Sequence, residues 1–536
     1  MKRLMFVSFL IVLALVAFGC APATPAPSTA APAPQPTNPP AATSAPSGGN
    51  TGGATTGSQA YTVAAGDTLA DLAQKNLGNK DWLWAIYGLT NAHHNQDASF
   101  TQITNPDKVD PGAKIYIPTK DEASAFMSKF DPKNPDIKLL FPKPAGGQLL
   151  VGNWWTSGGE FAGISGLYDL YKKQYPGVDV VHAGIAGGGG VNFQAANLTK
   201  LQSGDPFDVF MLHAGKEVIQ YDPEKYLTPV EDIVNETEGS VMPADLKNLL
   251  TYKGHIWTVP LNIHRGNVLW VNKKVFVDNG LTPPTTFDEF FKVADALKAK
   301  GVLALAMGGA NKFEGPQTFE VVLLGTVGPD GMLALESGKM SWKDPKVTQA
   351  LQTYAKMLDY TNQDRDSLSW DQATKLVIDG KAAMNIMGDW ADGEFVHAKK
   401  TAADYAGIPA PGNKGSFLLV SDGFALPKQA PDKDNAVNWL KLITGKEAQE
   451  VFNINKGSIC SRTDCDYSKF DDYLKSSAAD FKVSRIIPII VHGSAVDPTW
   501  KQAFSDTVIK FSADKDVQAA QNALVQAAID AGFAQQ

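Results

Sequence analysis

The chain has little of what most catalytic and nucleic-acid-binding proteins advertise. Among 536 residues there are three cysteines and eight histidines, and basic side chains are outnumbered 48 to 56, leaving a net charge of -8. No concentrated positive field is available for nucleic acid, whose binding depends on one. The histidines are scattered without ligand spacing; His93 and His94 are adjacent in an expected loop, where exposure to solvent suits them better than one metal. No Gly-Lys-Ser/Thr follows the glycine run 187–190, so it is not a phosphate loop. No cofactor is expected. Charge and aromatic rings are missing altogether from residues 21–59, which are almost wholly Ala, Pro, Ser, Thr and Gly. Such a segment has nothing to bury against the entropy of ordering, so it is an extended tether.

What is present starts with a leader. Lys2 and Arg3 precede an apolar run from Leu4 to Gly19 that is too short for a confident membrane span of about 20 residues. Gly19-Cys20 at its end resembles a bacterial lipoprotein processing site, although Ala17 and Phe18 depart from the usual pattern. The resemblance implies export, lipidation at Cys20 and anchoring to the outer face of the cytoplasmic membrane or in the periplasm. In that compartment Cys460 and Cys465 either close a small disulfide loop or remain thiols, and the compartment favours the bond.

Order begins at Tyr61. Tyr61-Thr62-Val63 has the pattern of a strand, and Gly66-Asp67-Thr68 offers a turn and a helix N-cap. Leu69, Leu72 and Ala73 mark one apolar helix face, and Trp82, Ala85, Ile86 and Leu89 a second. Ile115-Tyr116-Ile117-Pro118 closes a β-α-α-β unit over 60–119. With Asn105-Pro106 and Pro111-Gly112, these residues resemble the LysM family, which binds N-acetylglucosamine-containing glycans. The resemblance implies that Gly66, Asp67 and Thr68 border a groove for peptidoglycan; the alternative is that they only cap a helix.

Residues 120–147 suggest a short helix and a connector. From 148 to 536, apolar strands alternate with amphipathic helices, an α/β pattern. The strand at Leu149-Leu150-Val151 runs into Trp154-Trp155-Thr156-Ser157-Gly158-Gly159-Glu160. Paired indoles beside a carboxylate suit a pyranose, whose C–H face stacks on a ring while its hydroxyls bond the carboxylate. Ser157 and Glu160 are also spaced as a capping box. His213, Trp390 and Asp422 follow predicted strands, His492 closes another, and Lys456 lies in Asn455-Lys456-Gly457-Ser458. Strand ends are where α/β proteins place ligands.

Together these motifs resemble the extracellular solute-binding proteins of ABC sugar importers, of the glucose/galactose-binding group within the maltose-binding-protein-like architecture. The series includes Gly-Gly-Gly-Gly-Val-Asn at 187–192, His-Ala-Gly at 213–215, Val-Pro-Leu-Asn-Ile-His-Arg at 259–265, Leu-Ser-Trp at 368–370, Met-Gly-Asp-Trp-Ala at 387–391 and Val-His-Gly at 491–493. The resemblance implies two lobes joined by a hinge, a monomer, and a monosaccharide handed to permease subunits in the membrane. It implies Trp154 and Trp155 as stacking surface, Glu160, His213, Asp422, Lys456 and His492 as polar contacts, and Trp370 and Trp390 closing from the other lobe. The glycines around Gly189 are expected to let backbone approach the ligand. Met211 stands where related proteins can carry an amide, which bears on the hydroxyl recognised. Two other classes compete: a cell-wall glycoside hydrolase using Glu160, Asp389 or Asp422 as its paired carboxylates, and a wall tether without a ligand.

Overall fold

The alternation of apolar runs and amphipathic helices after residue 147 does produce two α/β layers systems, joined by a third sheet. A computed structural model describes residues 59–96, 99–103, 109–127, 146–187 and 190–533. Cys20, the tether, Asn105-Pro106 and Gly189 lie outside the described residues.

In the first lobe, strand Gly147–Asn153 is parallel to Val178–Gly184 and to Val209–His213. Asp422–Pro427 joins antiparallel, with Asp422 opposite His213. In the second lobe the strand order is Leu303–Ala306, Ala382–Met387, Val268–Asn272, Tyr405–Pro409. Between them lies a four-stranded sheet ordered Ile459–Cys460, Asn262–Arg265, Ser416–Val420, Arg485–Pro488. The chain therefore crosses between lobes in this sheet: Asn262–Arg265 continues into the second lobe's Val268–Asn272, and Ser416–Val420 continues into the first lobe's Asp422–Pro427.

Helix Glu314–Glu336 is long and apolar enough to cross a membrane by length and composition. Its flanks explain why it is a core helix instead. Phe319, Val322 and Leu323 are buried, and so are Glu314, Gln317 and Glu320, each hydrogen-bonded. It kinks at Gly328-Pro329, where proline removes a backbone donor.

Residues 59–127 form antiparallel strands Gln59–Thr62 and Lys114–Ile117, helices Leu69–Leu77 and Leu83–Gln96, and helix Lys120–Met127. Val63, Leu69, Leu72, Ile86 and Ile115 make a core of their own. Thr68 caps the first helix, accepting from the Asp71 amide at 3.1 Å. Asp67 accepts from Tyr61 Oη at 2.7 Å and from the Ala64 amide at 2.8 Å. One expectation is corrected here. His93 and His94 belong to the last turn of helix Leu83–Gln96, not to a loop. The His93 ring lies 3.8 Å from that of Tyr116, and His94 Nδ1 is 2.6 Å from the Phe100 carbonyl.

Candidate functional site: an aromatic and ionic cleft between the lobes

Helix Gly158–Gln174 starts at Ser157, but the Ser157 side chain makes no cap bond. The capping-box reading of Ser157 and Glu160 is thereby corrected. Glu160 instead turns to Lys456 at the end of helix Lys446–Lys456, with Nζ 2.8 Å from Oε1. The ammonium also lies 5.7 Å from the Trp155 ring centre and 5.9 Å from that of Trp390, a cation–π arrangement.

A cleft of about 390 Å³ opens beside this pair, lined from the first lobe by Trp154, Trp155, Glu160, His213, Asp422 and Lys456. The second lobe contributes Phe313, Trp370 and Trp390; His264, Val420 and His492 come from the joining sheet or just beyond its end. Nine of the ten expected sugar contacts thus meet in one place, Gly189 being the tenth.

Each ring is held by its own packing. Trp154 lies 5.0 Å from His213 and 5.8 Å from Phe193. Trp155 is fully buried against Phe452 and Phe424, so it is a back wall rather than an open platform. Its Nε1 is buried with no acceptor among the described residues. Trp390 folds back over Gly388, where a Cβ would lie 2.3 Å from the indole, so the Gly-Asp-Trp turn needs glycine. It meets His264 and His492 edge-on at 5.4 and 5.2 Å. Trp370 begins helix Trp370–Ile378, its amide bound to Asn311 Oδ1 at 3.1 Å.

The charges form one chain. His264 Nδ1 is bound to Asp389, and its Nε2 lies 3.2 Å from Asp422 Oδ2, without the alignment of a hydrogen bond. Burial works against the imidazolium of His264, but the carboxylates at both ring nitrogens outweigh it and raise its pKa. Burial would likewise raise Asp422; His264, Lys456 and His213 more than offset it and hold this carboxyl below its ordinary range. Asp422 also accepts from Asn262 Nδ2 at 2.9 Å, and His213 Nε2 is 3.7 Å away. His213 Nδ1 is 2.5 Å from Glu217 Oε2. Burial, with His213 and Lys501 adding to it, pushes His492 well below the usual imidazole range, so its ring is neutral.

One further expectation is corrected. Met211 is buried in the core and does not line the cleft, because it sits two residues down the strand from His213, one layer deeper. Gly190 packs against the cleft-lining Trp154 ring, where a Cβ would lie 3.1 Å from it. Three lining residues carry no sequence signal of their own. His264 lies inside the Asn-Ile-His-Arg motif as an ordinary strand residue. Phe313 follows a glycine-rich loop with no local signal, and Val420 looks like any strand residue. The sulfurs of Cys460 and Cys465 are bonded.

Two lobes with a cleft of rings and paired charges at their junction define a ligand-binding protein of the clamp type. The family model for bacterial extracellular solute-binding proteins matches residues 154–450, and the chain belongs to that family. It is 36% identical over 385 residues to an uncharacterised ABC transporter extracellular-binding protein of Pyrococcus horikoshii, covering 71% of this chain and 87% of the relative. It is 34% identical to a probable sugar-binding periplasmic protein of Mesorhizobium japonicum, covering 67% and 87%. In structure it is similar to the bacterial solute receptor AcbH, with a TM-score of 0.63 at 19% identity, over 72% of this chain and 99% of that one. The family is one of binding proteins, which sets the hydrolase alternative aside.

Proposed function

We propose that this protein is the extracytoplasmic receptor of an ABC sugar importer and that it takes a single hexopyranose of the glucose or galactose type. The observation that carries this is the company in the cleft: Trp154, Trp155, Trp370 and Trp390 around Glu160, Asp422, Lys456 and three histidines. A pyranose has an apolar C–H face for the rings and a girdle of hydroxyls for the charges. The relative from Mesorhizobium japonicum is described as sugar-binding, which agrees. Sugar touching both lobes favours closure through contacts that exist only when shut, and the closed form is delivered to the permease subunits. Calorimetric titration with a panel of hexoses tests this, and no heat with any monosaccharide sinks it.

A longer saccharide has one observation in its favour. A second cavity of about 1010 Å³, open to solvent, shares His213, Phe313 and His492 with the first and is lined by Asn192, Asn311 and Lys501. Disaccharides binding more tightly than their monosaccharides would establish that reading.

The leader and residues 60–119 support tethering. Acylation at Cys20 holds the receptor to the membrane, and the LysM-like module keeps it in the peptidoglycan layer. The side chains of Asp67 and Thr68 are occupied internally, so contact with glycan at Gly66, Asp67 and Thr68 falls to backbone groups. Sedimentation with purified peptidoglycan tests the module; equal sedimentation after deleting 60–120 counts against it. Cys20→Ser should release the protein from membranes.

A further inference from the structure

The cleft presents both donors and acceptors, and the structure fixes which of these His492 is. Its Nε2 lies 3.2 Å from Gln317 Oε1, on the buried helix Glu314–Glu336. The Gln317 amide has only one orientation available. Its Nε2 donates to the Gly266 carbonyl at 2.9 Å. Turning the amide over would set two oxygens, neither with a proton, against each other at that distance. Oε1 therefore faces the imidazole, and an oxygen of this kind only accepts.

Resting on the sugar-receptor reading, the geometry points to Gln317 as a positioning residue that holds the proton of His492 on Nε2, leaving Nδ1 a bare acceptor for one donating hydroxyl of the ligand. The groups around the ring agree. His213 is 5.0 Å away and Phe313 5.3 Å, and Lys501 and His264 add positive charge, with Asp422 the one carboxylate among them. Burial first, and then the basic groups around it, leave a second proton on His492 unfavourable. Glu320, one turn along the same helix, holds the backbone that carries the histidine: it accepts from the amides of Ile490 at 2.6 Å and Val491 at 3.1 Å. The cleft then pairs an acceptor at His492 with a donor at Lys456. A hydroxyl bridging such groups is ordered in one sense only, and an epimer that moves it leaves both ends unpaired.

The test is nitrogen NMR on the full chain labelled with ¹⁵N-histidine, first without sugar. The His492 signals are assigned by their loss in His492→Gln. The expected spectrum near neutral pH has a protonated Nε2 and an unprotonated Nδ1; a proton on Nδ1 overturns the proposal. On adding the best-binding hexose, the Nδ1 resonance should move as it accepts a hydroxyl proton, and an unmoved resonance overturns the acceptor role. Gln317→Leu should leave a mixture of tautomers and lower sugar affinity about tenfold. Gln317→Glu keeps the acceptor but draws on a second proton, so Nδ1 becomes a donor and affinity falls at least as far. A Gln317→Leu spectrum identical to that of the unsubstituted protein also overturns the assignment. The first spectrum needs only the assignment variant and no sugar that binds. Failure of every hexose to bind would therefore count against the receptor reading and leave the tautomer decided.

Discussion

Glu394, in the second lobe's helix Trp390–His397, accepts the backbone N–H of Gly159, in the first turn of the first lobe's helix Gly158–Gln174, at 3.0 Å. A carboxylate at a helix N-terminus meets unpaired amides and the positive end of the helix dipole. Here the carboxylate belongs to the other lobe, so the contact exists only when the lobes are together. The backbones touch at the same point: a Cβ on Gly159 would lie 2.6 Å from the Asn455 carbonyl and 2.8 Å from Gly393. Glu394→Gln keeps the shape and removes the charge, and it should weaken sugar binding about three- to tenfold. Gly159→Ala should weaken it further by holding the lobes apart, visible as a larger radius of gyration with saturating sugar. Titration curves superimposable on those of the unsubstituted protein would refute the latch.

Trp155→Phe isolates one donor. The phenyl ring still packs on Phe452 and Phe424, while the buried Nε1–H is gone. Affinity should fall by about 1 kcal/mol, the net worth of one hydrogen bond, and the cavity left by the smaller ring should lower the melting temperature by about a few degrees. Unaltered affinity would show that this donor never meets the ligand.

Trp390→Ala acts differently. The ring covers His264, His492 and Phe313, so its loss opens the cleft to water and removes a stacking face. Binding should become undetectable by calorimetry while the far-ultraviolet circular dichroism is retained. Measurable affinity within threefold of the original would place the sugar elsewhere.

Asp422→Asn tests the ionic chain. Asp422 is buried beside His264, His213 and Lys456, and the change leaves His264 and Lys456 facing a neutral amide. Removing one partner of a buried ion pair costs roughly 3–5 kcal/mol. Denaturant unfolding should register a loss of this order, together with loss of binding. A stability change under 1 kcal/mol would mean that the chain is not coupled as described.

Stability should fall as pH rises from 6.5 to 8.5. Burial raises Glu320 and Glu238 from 4.5 to about 8 and Glu314 to about 7, against the hydrogen bonds each accepts. Between pH 4.5 and these values the native state holds protons that the unfolded chain has released, so the slope is negative. The raised pKa of His264 acts in the same sense, its stabilisation being lost as pH climbs through the folded value. His492, depressed by burial, opposes only below about pH 6.5, where the unfolded ring gains a proton that the native one refuses. Glu320 and Glu238 should each contribute on the order of 1–2 kcal/mol over the window. A thermal scan at half-unit steps checks the trend, which Glu320→Gln should flatten. A midpoint that climbs with pH would contradict it.

Much of the fold was legible because periodicity is local. The strand at Leu149–Val151, helix Val517–Asp530 and strand Ala382–Met387 each announce themselves in their own side chains. The strand that His492 was expected to close is shorter: it ends at Pro488, and the following turn carries His492 on amides bound by Glu320. That turn is set by a helix some 170 residues earlier, which no local pattern encodes.

The chemistry of the cleft was written in the sequence residue by residue: indoles, imidazoles, a lysine and carboxylates at the ends of strands and helices. Their partnerships were not. Ser157 and Glu160 have the spacing of a capping box, and only the packing of helix Lys446–Lys456 beside them turns Glu160 to Lys456. His264 is an ordinary strand residue until Asp389, from the second lobe's side of the joining sheet, and Asp422, from the first lobe's, close on its two nitrogens. Side-chain type is a local property, whereas protonation, orientation and pairing depend on what is desolvated beside what. Only the tertiary structure, by bringing both lobes to one sheet, decides that.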